Sequence, residues 1–269
     1  MGLNEEGAVY HYLVESMPIA AVYVCITLFI LASSEAGFLT GRYHHLRNQD
    51  ATAPTSVGPM VGGLLGMLAF VLAFTFSTAS GQYTERKHDV LDEANLIGTA
   101  YLRTDLLPAQ QGDEAKRLLR DYVAARLQAS RDGNWQLALK RSEEIHASLW
   151  TLVLSAAKEN PGALSAMVVE SVNAVIDMNA KRLNDAVRAR IPGSIWFGLM
   201  MITMLTMGTL GLQLGFAGKR RMLGIIPIAM SFAVLATLIV DLNRPQGGFI
   251  KVGQQAMLDL QATINPGAR

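Results

Sequence analysis

The chain has 269 residues, of which 51% are hydrophobic and only 17% are charged. Lys plus Arg number 23 against 22 Asp plus Glu, and a net charge of +1 without a basic patch argues against a nucleic-acid partner. The apolar excess also excludes an ordinary soluble domain and predicts a membrane protein.

Four apolar windows are each long enough to cross a bilayer, which takes about 20 residues of helix. They are residues 18–39, 57–79, 195–216 and 222–242. The first window lacks a basic leader and a cleavage site, so we expect it to stay in the mature protein as a span. Along the chain the spans form an N-terminal pair within 1–79 and a C-terminal pair within 194–243.

Residues 80–193 regain charge, and their apolar side chains recur at three- and four-residue steps, which is one face of an amphipathic helix. Turn signals separate helical segments at roughly 109–131, 134–159 and 163–190. Strand-like alternation is absent from the sequence. The chain is therefore predicted to be all-α, with one helical domain inserted between spans two and three and a tail, 244–269, that is either a short amphipathic helix or loose.

The second span enters this domain through AFTFSTASGQYTERKHDVLDEANLIGTAYLR, residues 73–103, which contains no proline. In the stretch from Val57 to Arg103, Gly81 is a point beyond the apolar window at which helix propensity weakens. Two alternatives follow. Either the helix continues for some 47 residues, about 70 Å at 1.5 Å per residue, as one helix or two stacked ones, or it breaks near Gly81.

One face of the second span changes from glycine to phenylalanine along its length. The residues at these helical steps are Gly58, Gly62, Gly66, Phe70, Phe74 and Ser77. Glycine at such spacing lets helices approach closely, and a ring of phenylalanines around a symmetry axis makes a hydrophobic constriction that gates by dewetting. The stripe predicts either a pore wall or a face that packs against helices or lipid.

Ionisable side chains within the bilayer are energetically costly, so each one indicates a structural or functional role. Glu35 lies near the end of the first span and Asp241 near the end of the fourth. Either both reach the membrane interface, or Asp241 pairs with Arg244 three residues on, or both face a water-filled path.

Enzyme signatures are missing from the sequence: it has no phosphate-binding P-loop, no GxSxG elbow and no HExxH motif. The five histidines are scattered, and the single cysteine, Cys25, rules out an intrachain disulfide. We therefore predict no catalytic residue, no metal site and no cofactor.

Short-loop charges bear on the orientation of the spans. Arg42 and Arg47 follow the first span, and a second basic loop at 219–221 joins spans three and four. The positive-inside rule places such loops in the cytoplasm and the central domain outside.

Residues 73–103, together with VNAVIDMNAKRLNDAVRARIPGSIW at 172–196, resemble the bacterial bestrophin-like membrane proteins, named for a distant likeness to the bestrophin anion channels. The four-span layout and the central helical domain extend the resemblance over nearly the whole chain. It implies a homo-oligomer, a pentamer, in the plasma (inner) membrane, with small ions passing through a central pore lined by the second span.

By position, Phe74 matches the constricting phenylalanine of that family, with Phe70 and Gly66 one and two turns before it. Thr75 stands where bestrophins commonly have an arginine, and no acidic cluster follows the fourth span. The resemblance therefore does not extend to anion selectivity or calcium gating. Bestrophins keep the domain in the cytosol, opposite to what the loop charges favour, so both orientations stay open.

The two matching segments also carry polar residues in the central domain. They are Asp92, Glu93, Asn95, Arg103, Asn173, Asp177 and Arg182. Asn173 and Asp177 share a helix face by their four-residue spacing. The set is predicted either to line a vestibule next to the constriction or to join helices by hydrogen bonds and salt bridges.

A competing interpretation of the whole chain is a membrane-anchored helical scaffold or sensor that has no conduction path. In that case we expect the stripe of Gly66, Phe70, Phe74 and Ser77 to pack within the subunit.

Overall fold

The computed structural model describes residues 17–47, 57–132, 135–187, 190–217, 222–244 and 248–265, and no strand occurs among them. The helices are α1 (Ile19–Arg47), α2 (Val57–Arg103), α3 (Ala109–Asp132), α4 (Trp135–Glu159), α5 (Ala163–Val187), α6 (Gly193–Phe216), α7 (Met222–Asn243) and α8 (Gln255–Ile264), with a 3-10 turn at Thr104–Leu106. The predicted all-α class is confirmed. The basic loop at 219–221, used above for orientation, lies outside the described residues.

Four helices, α1, α2, α6 and α7, are long and apolar enough to cross a membrane, as predicted. The α2 helix runs unbroken for 47 residues, so the predicted alternative of a break near Gly81 is wrong. One glycine in a helix interior costs only about 1 kcal/mol relative to alanine. With no proline in residues 73–103, that cost is too small to end the helix near Gly81.

The chain forms two compact units. Unit 1 consists of Met1–Tyr83 and Arg190–Lys251, and unit 2 of Thr84–Ala189 and Val252–Arg269. Unit 1 contains the apolar windows, and unit 2 contains α3, α4, α5 and α8.

In unit 1, α1 packs closely against α6 and also contacts α7. The approach of α1 and α6 is backbone to backbone. A Cβ atom placed on Gly211 would lie 1.9 Å from the carbonyl oxygen of Ser34, and one on Gly37 would lie 1.9 Å from that of Gly208. Only glycine fits at such positions, which is how small residues let spans associate without a hydrophobic driving force.

The ends of the spans in unit 1 are fixed by polar side chains. Asn243 accepts a hydrogen bond from the backbone N–H of Ile191 at 3.1 Å, and Arg244 donates to the carbonyl oxygen of Met17 at 2.9 Å. The Asp241 carboxylate accepts from residues 249 and 250, partners that the sequence reasoning did not foresee. Glu35 is half-buried.

Unit 2 is organised around an apolar core to which α2, α3, α4, α5 and α8 all contribute. Its fully buried side chains include Ile97, Leu119, Leu149, Val172 and Met257. At the C-terminal end of α8, Arg120 donates to the carbonyl oxygen of Ile264 at 3.1 Å. Of the two expectations for the tail, the structure therefore contains the helix, packed on unit 2.

Candidate functional site

The glycine and phenylalanine stripe lies on an exposed face of α2 in unit 1. Phe70 is 72% exposed and Phe74 is 67% exposed. Gly66 and Ser77 are also exposed, and a Cβ atom on Gly66 would have no atom within 4 Å. The part of the stripe from Gly66 to Ser77 therefore does not pack against other helices in the described part of the chain.

The opposite face of α2 in unit 1 is buried. Leu68, Leu72 and Ala79 join the apolar core of the unit. Thr75, at the position where bestrophins commonly have an arginine, is buried too, and its hydroxyl donates to the carbonyl oxygen of Val71 at 2.7 Å. Burial of this face fixes the rotation of the helix, so that the stripe points away from the core.

In unit 2, neighbouring polar residues of α2 fall on different sides of the helix. Asp92 and Asn95 are exposed, whereas Glu93 is completely buried. A step of one residue turns an α-helix by about 100° (3.6 residues per turn). The predicted polar set therefore divides into exposed side chains and side chains that join helices.

Glu93 is the centre of a buried polar cluster formed with α3 and α5. Its carboxylate accepts a hydrogen bond from the Tyr122 hydroxyl at 2.5 Å and lies 3.5 Å from Nε of Arg126. It also forms an ion pair with Arg182. The Tyr122 hydroxyl lies 3.3 Å from the side-chain oxygen of Asn179. These contacts satisfy a carboxylate that would otherwise be very costly to bury.

Burial shifts the pKa values of groups around this cluster. The pKa of Tyr122 is raised to about 12 by burial, and that of Arg182 is lowered to about 10 by burial, partly opposed by the charge of Asp89. Both groups keep their usual protonation state at pH 7. The phenol therefore remains a hydrogen-bond donor and the guanidinium remains a cation for Glu93.

His146 of α4 completes the surroundings of Tyr122. The two ring centroids are 4.6 Å apart. Burial, and then the charge of Arg126, lower the pKa of His146 to about 4, so the imidazole is neutral at pH 7. Its Nε2 atom is buried and has no hydrogen-bond partner among the described residues.

The other predicted polar residues make simpler contacts. Asn173 donates to Asp177 at 2.8 Å on an exposed face of α5, as their four-residue spacing allows. Arg103 donates to the carbonyl oxygen of Met167 at 3.1 Å. These two contacts hold local geometry within unit 2.

Sequence reasoning missed several members of the buried cluster. Tyr122, Asn179 and the ion pair of Lys181 with Asp89 were not singled out. One signal was available: Asp89 and Glu93 are four residues apart on α2, and the adjacent cations at 181 and 182 offer them partners. Nothing in the sequence, however, tells which helices meet.

No group of three or more His, Cys, Asp or Glu side chains that could hold a metal ion occurs among the described residues.

Comparison with known proteins identifies the fold. A crystal structure of a bacterial bestrophin homolog from Klebsiella pneumoniae superposes with a TM-score of 0.65 at 13% identity, covering 92% of this chain and 97% of that one. A variant of that homolog with one mutation gives 0.64 at 12% identity, covering 92% and 98%. A crystal structure described as a membrane protein gives 0.65 at 13%, covering 92% and 97%.

At these identities the structural matches establish a shared fold. No curated protein matches the sequence significantly. The family model of the bestrophin-like domain, however, matches residues 27–257, which is most of the 269 residues. The chain therefore belongs to the bestrophin-like family.

Proposed function

We propose that the protein is a homo-oligomeric ion channel of the plasma (inner) membrane, in which copies of α2 surround a central pore and Phe70 and Phe74 form its constriction. Ions pass down their gradients without a transport cycle. The family to which the chain belongs supports an ion channel in general. The observation that carries the pore assignment is the exposed stripe on α2, whose opposite face is buried.

The glycines strengthen this assignment over a face turned to lipid. A Cβ atom on Gly62, Gly63 or Gly66 would meet nothing within 4 Å. Three glycines in one stretch of span lower its helix propensity. Contact with lipid chains does not compensate for this loss. Close approach of a second copy of α2 does compensate for it, since small residues allow tight packing of spans.

The two phenylalanines then follow as the constriction. Large apolar rings that converge on an axis narrow an aqueous path and exclude water from it. Phe70 and Phe74 are one turn apart and both strongly exposed. A pore lined in this way conducts only when the rings move or when ions shed part of their hydration.

We propose that two exposed polar residues of α2 in unit 2, Asp92 and Asn95, line a vestibule of the channel. Glu93 and Arg182, by contrast, are proposed to hold the helices together. Five subunits around the axis is the assembly that the family resemblance implies.

The test is ion flux from liposomes that contain the purified oligomer, under chloride and potassium gradients. We expect the wild type to conduct and the double variant Phe70→Ala with Phe74→Ala to conduct faster, because a ring of methyl groups leaves a wider path. Phe197→Ala is the matched control, since Phe197 is 68% exposed on α6. No flux from a well-folded oligomer would contradict the channel and favour the membrane-anchored scaffold or sensor.

A further inference from the structure

The turn that follows α7 is held by the carboxylate of Asp241. The backbone N–H of Phe249 donates to Oδ1 and that of Ile250 donates to Oδ2, both at 3.0 Å. Asp241 itself is only 3% exposed. A buried carboxylate is costly unless hydrogen bonds satisfy it. The two backbone donors on adjacent residues therefore satisfy the buried carboxylate.

Two further contacts fix the same turn. A Cβ atom on Gly248 would lie 1.9 Å from Oδ1 of Asp241, so only glycine allows the carboxylate to come this close. After the turn, the Tyr83 hydroxyl donates to the carbonyl oxygen of Lys251 at 3.4 Å. The position of residues 248–251 in unit 1 is thus set from both ends.

Held by these contacts, the turn leaves an aromatic ring exposed. Phe249 is 83% exposed, whereas its neighbour Ile250 packs against the core of unit 1. A tightly held turn that leaves a phenylalanine uncovered gives up the burial of a large apolar side chain. Contact with a partner outside the described chain would recover that burial.

The position of the turn indicates what covers it. Phe249 comes six residues after Asn243, the last residue of α7, which is long and apolar enough to cross a membrane. Lys251 follows and is exposed. Large apolar side chains such as phenylalanine, beside basic side chains that reach toward headgroups, are typical of segments that lie in the membrane–water interface. Bilayer lipid is therefore the partner with matching chemistry.

We propose that the turn Gly248–Ile250 is a membrane-interface anchor, in which the Asp241 carboxylate holds the Phe249 ring in the headgroup region of the bilayer. This role is independent of conduction. It also gives Asp241, an ionisable residue at the end of a span, a structural purpose that needs no water-filled path.

The test is a nitroxide label at position 249, introduced as Phe249→Cys with Cys25→Ser, in protein reconstituted into phosphatidylcholine and phosphatidylglycerol vesicles. Collisions with oxygen, which concentrates in lipid, are compared with collisions with a water-soluble nickel chelate. Leu164→Cys, on an exposed site of α5 in unit 2, and Phe197→Cys, on a span, are the reference positions. We expect the ratio of oxygen collisions to nickel-chelate collisions to be higher at position 249 than at position 164.

Two results would overturn the anchor. Equal collision ratios at 249 and 164 would place the ring in water. Exclusion of both reagents would place it against protein, such as a second copy of the chain. Either outcome leaves the flux experiment unaffected, so failure of the anchor is distinguishable from failure of the channel.

The role of Asp241 is tested by the same label in the Asp241→Asn variant. An amide has one acceptor oxygen in place of two, so one of the two N–H groups loses its partner. We expect a narrower spectrum from a more mobile label and a loss of oxygen preference. An unchanged spectrum and depth would show that the carboxylate does not hold the turn. The depth of the label in the parent protein remains decisive if the variant fails to fold.

Discussion

The two units join their helices by different chemistry. In unit 1, α1 and α6 meet through glycine backbones at distances that exclude even a methyl group. In unit 2, helices share an apolar core and a buried carboxylate, Glu93, that binds tyrosine and arginine side chains. Lipid offers no hydrophobic drive for association, so unit 1 depends on close van der Waals contact. Unit 2 depends on burial and on satisfied polar groups.

The largest effect is expected where backbone meets backbone. Gly211→Val places a branched side chain where a Cβ alone would lie 1.9 Å from the Ser34 carbonyl oxygen. Neither helix can give way without separating, so we expect loss of monodisperse protein on size-exclusion chromatography. Gly198→Val on the same helix is the control, because a Cβ there meets nothing within 4 Å. Equal yields of the two variants would show that the α1–α6 contact is not what stabilises unit 1.

The second-largest effect is expected in the buried cluster of unit 2. Glu93→Gln keeps the side-chain shape but removes the charge of the ion-pair partner of Arg182, and breaking a buried pair in this way costs about 3–5 kcal/mol. Thermal unfolding followed by circular dichroism measures it. Asp92→Asn, one residue earlier and exposed, is the control. A melting temperature equal to that of the control would mean that the cluster contributes nothing to stability.

His146 should make the stability of unit 2 depend on pH. Burial and Arg126 lower its pKa to about 4, against about 6.5 in an unfolded chain. The unfolded state therefore binds the proton more readily. Stability is fully present above pH 6.5 and is lost as the pH falls toward 4, by at most about 3 kcal/mol.

The measurement is unfolding of the wild type and of His146→Leu in parallel between pH 7 and pH 4. Leucine cannot take a proton, so the stability of the wild type relative to that of His146→Leu should fall as the pH falls. Curves that stay parallel over this range would contradict the burial of a neutral imidazole.

The smallest effect is expected at an exposed ion pair of unit 2. Arg117 contacts Glu114 at 2.6 Å and Asp121 at 2.8 Å, all on the surface of α3. Water and salt screen such pairs. Arg117→Ala should leave the melting temperature almost unchanged, in contrast with Glu93→Gln. A large loss would show that surface charge, and not the buried cluster, stabilises the unit.

Local features of the fold could be predicted from the sequence. The spans follow from apolar length, and the continuity of α2 beyond the span follows from the absence of proline in residues 73–103. Contacts between distant segments could not be predicted. The glycines that mediate the closest helix contacts lie on α1 and α6, whereas the regular spacing had drawn attention to α2, where a Cβ atom on Gly62 or Gly66 meets nothing within 4 Å.

In the candidate site, too, local features could be predicted from the sequence and contacts between distant segments could not. Four-residue steps along α2 place Phe70 and Phe74 on one face, and the structure leaves that face exposed. Which of Asp92 and Glu93 is buried depends on where α3 and α5 lie, and so does the choice of Tyr122 and Arg182 as partners. Asp241 likewise bonds residues eight and nine positions later, across a turn without periodic signal.

The central claim is that the exposed stripe of α2 faces an aqueous path. Its most direct test is Ser77→Cys in a Cys25→Ser background, treated with a membrane-impermeant thiol reagent while ion flux from liposomes is recorded. Ser231→Cys, at an exposed serine of α7, is the matched control. We predict labelling at 77 with a fall in flux, and neither at 231. Absence of labelling at 77, or labelling that leaves the flux unchanged, would contradict a pore lined by α2.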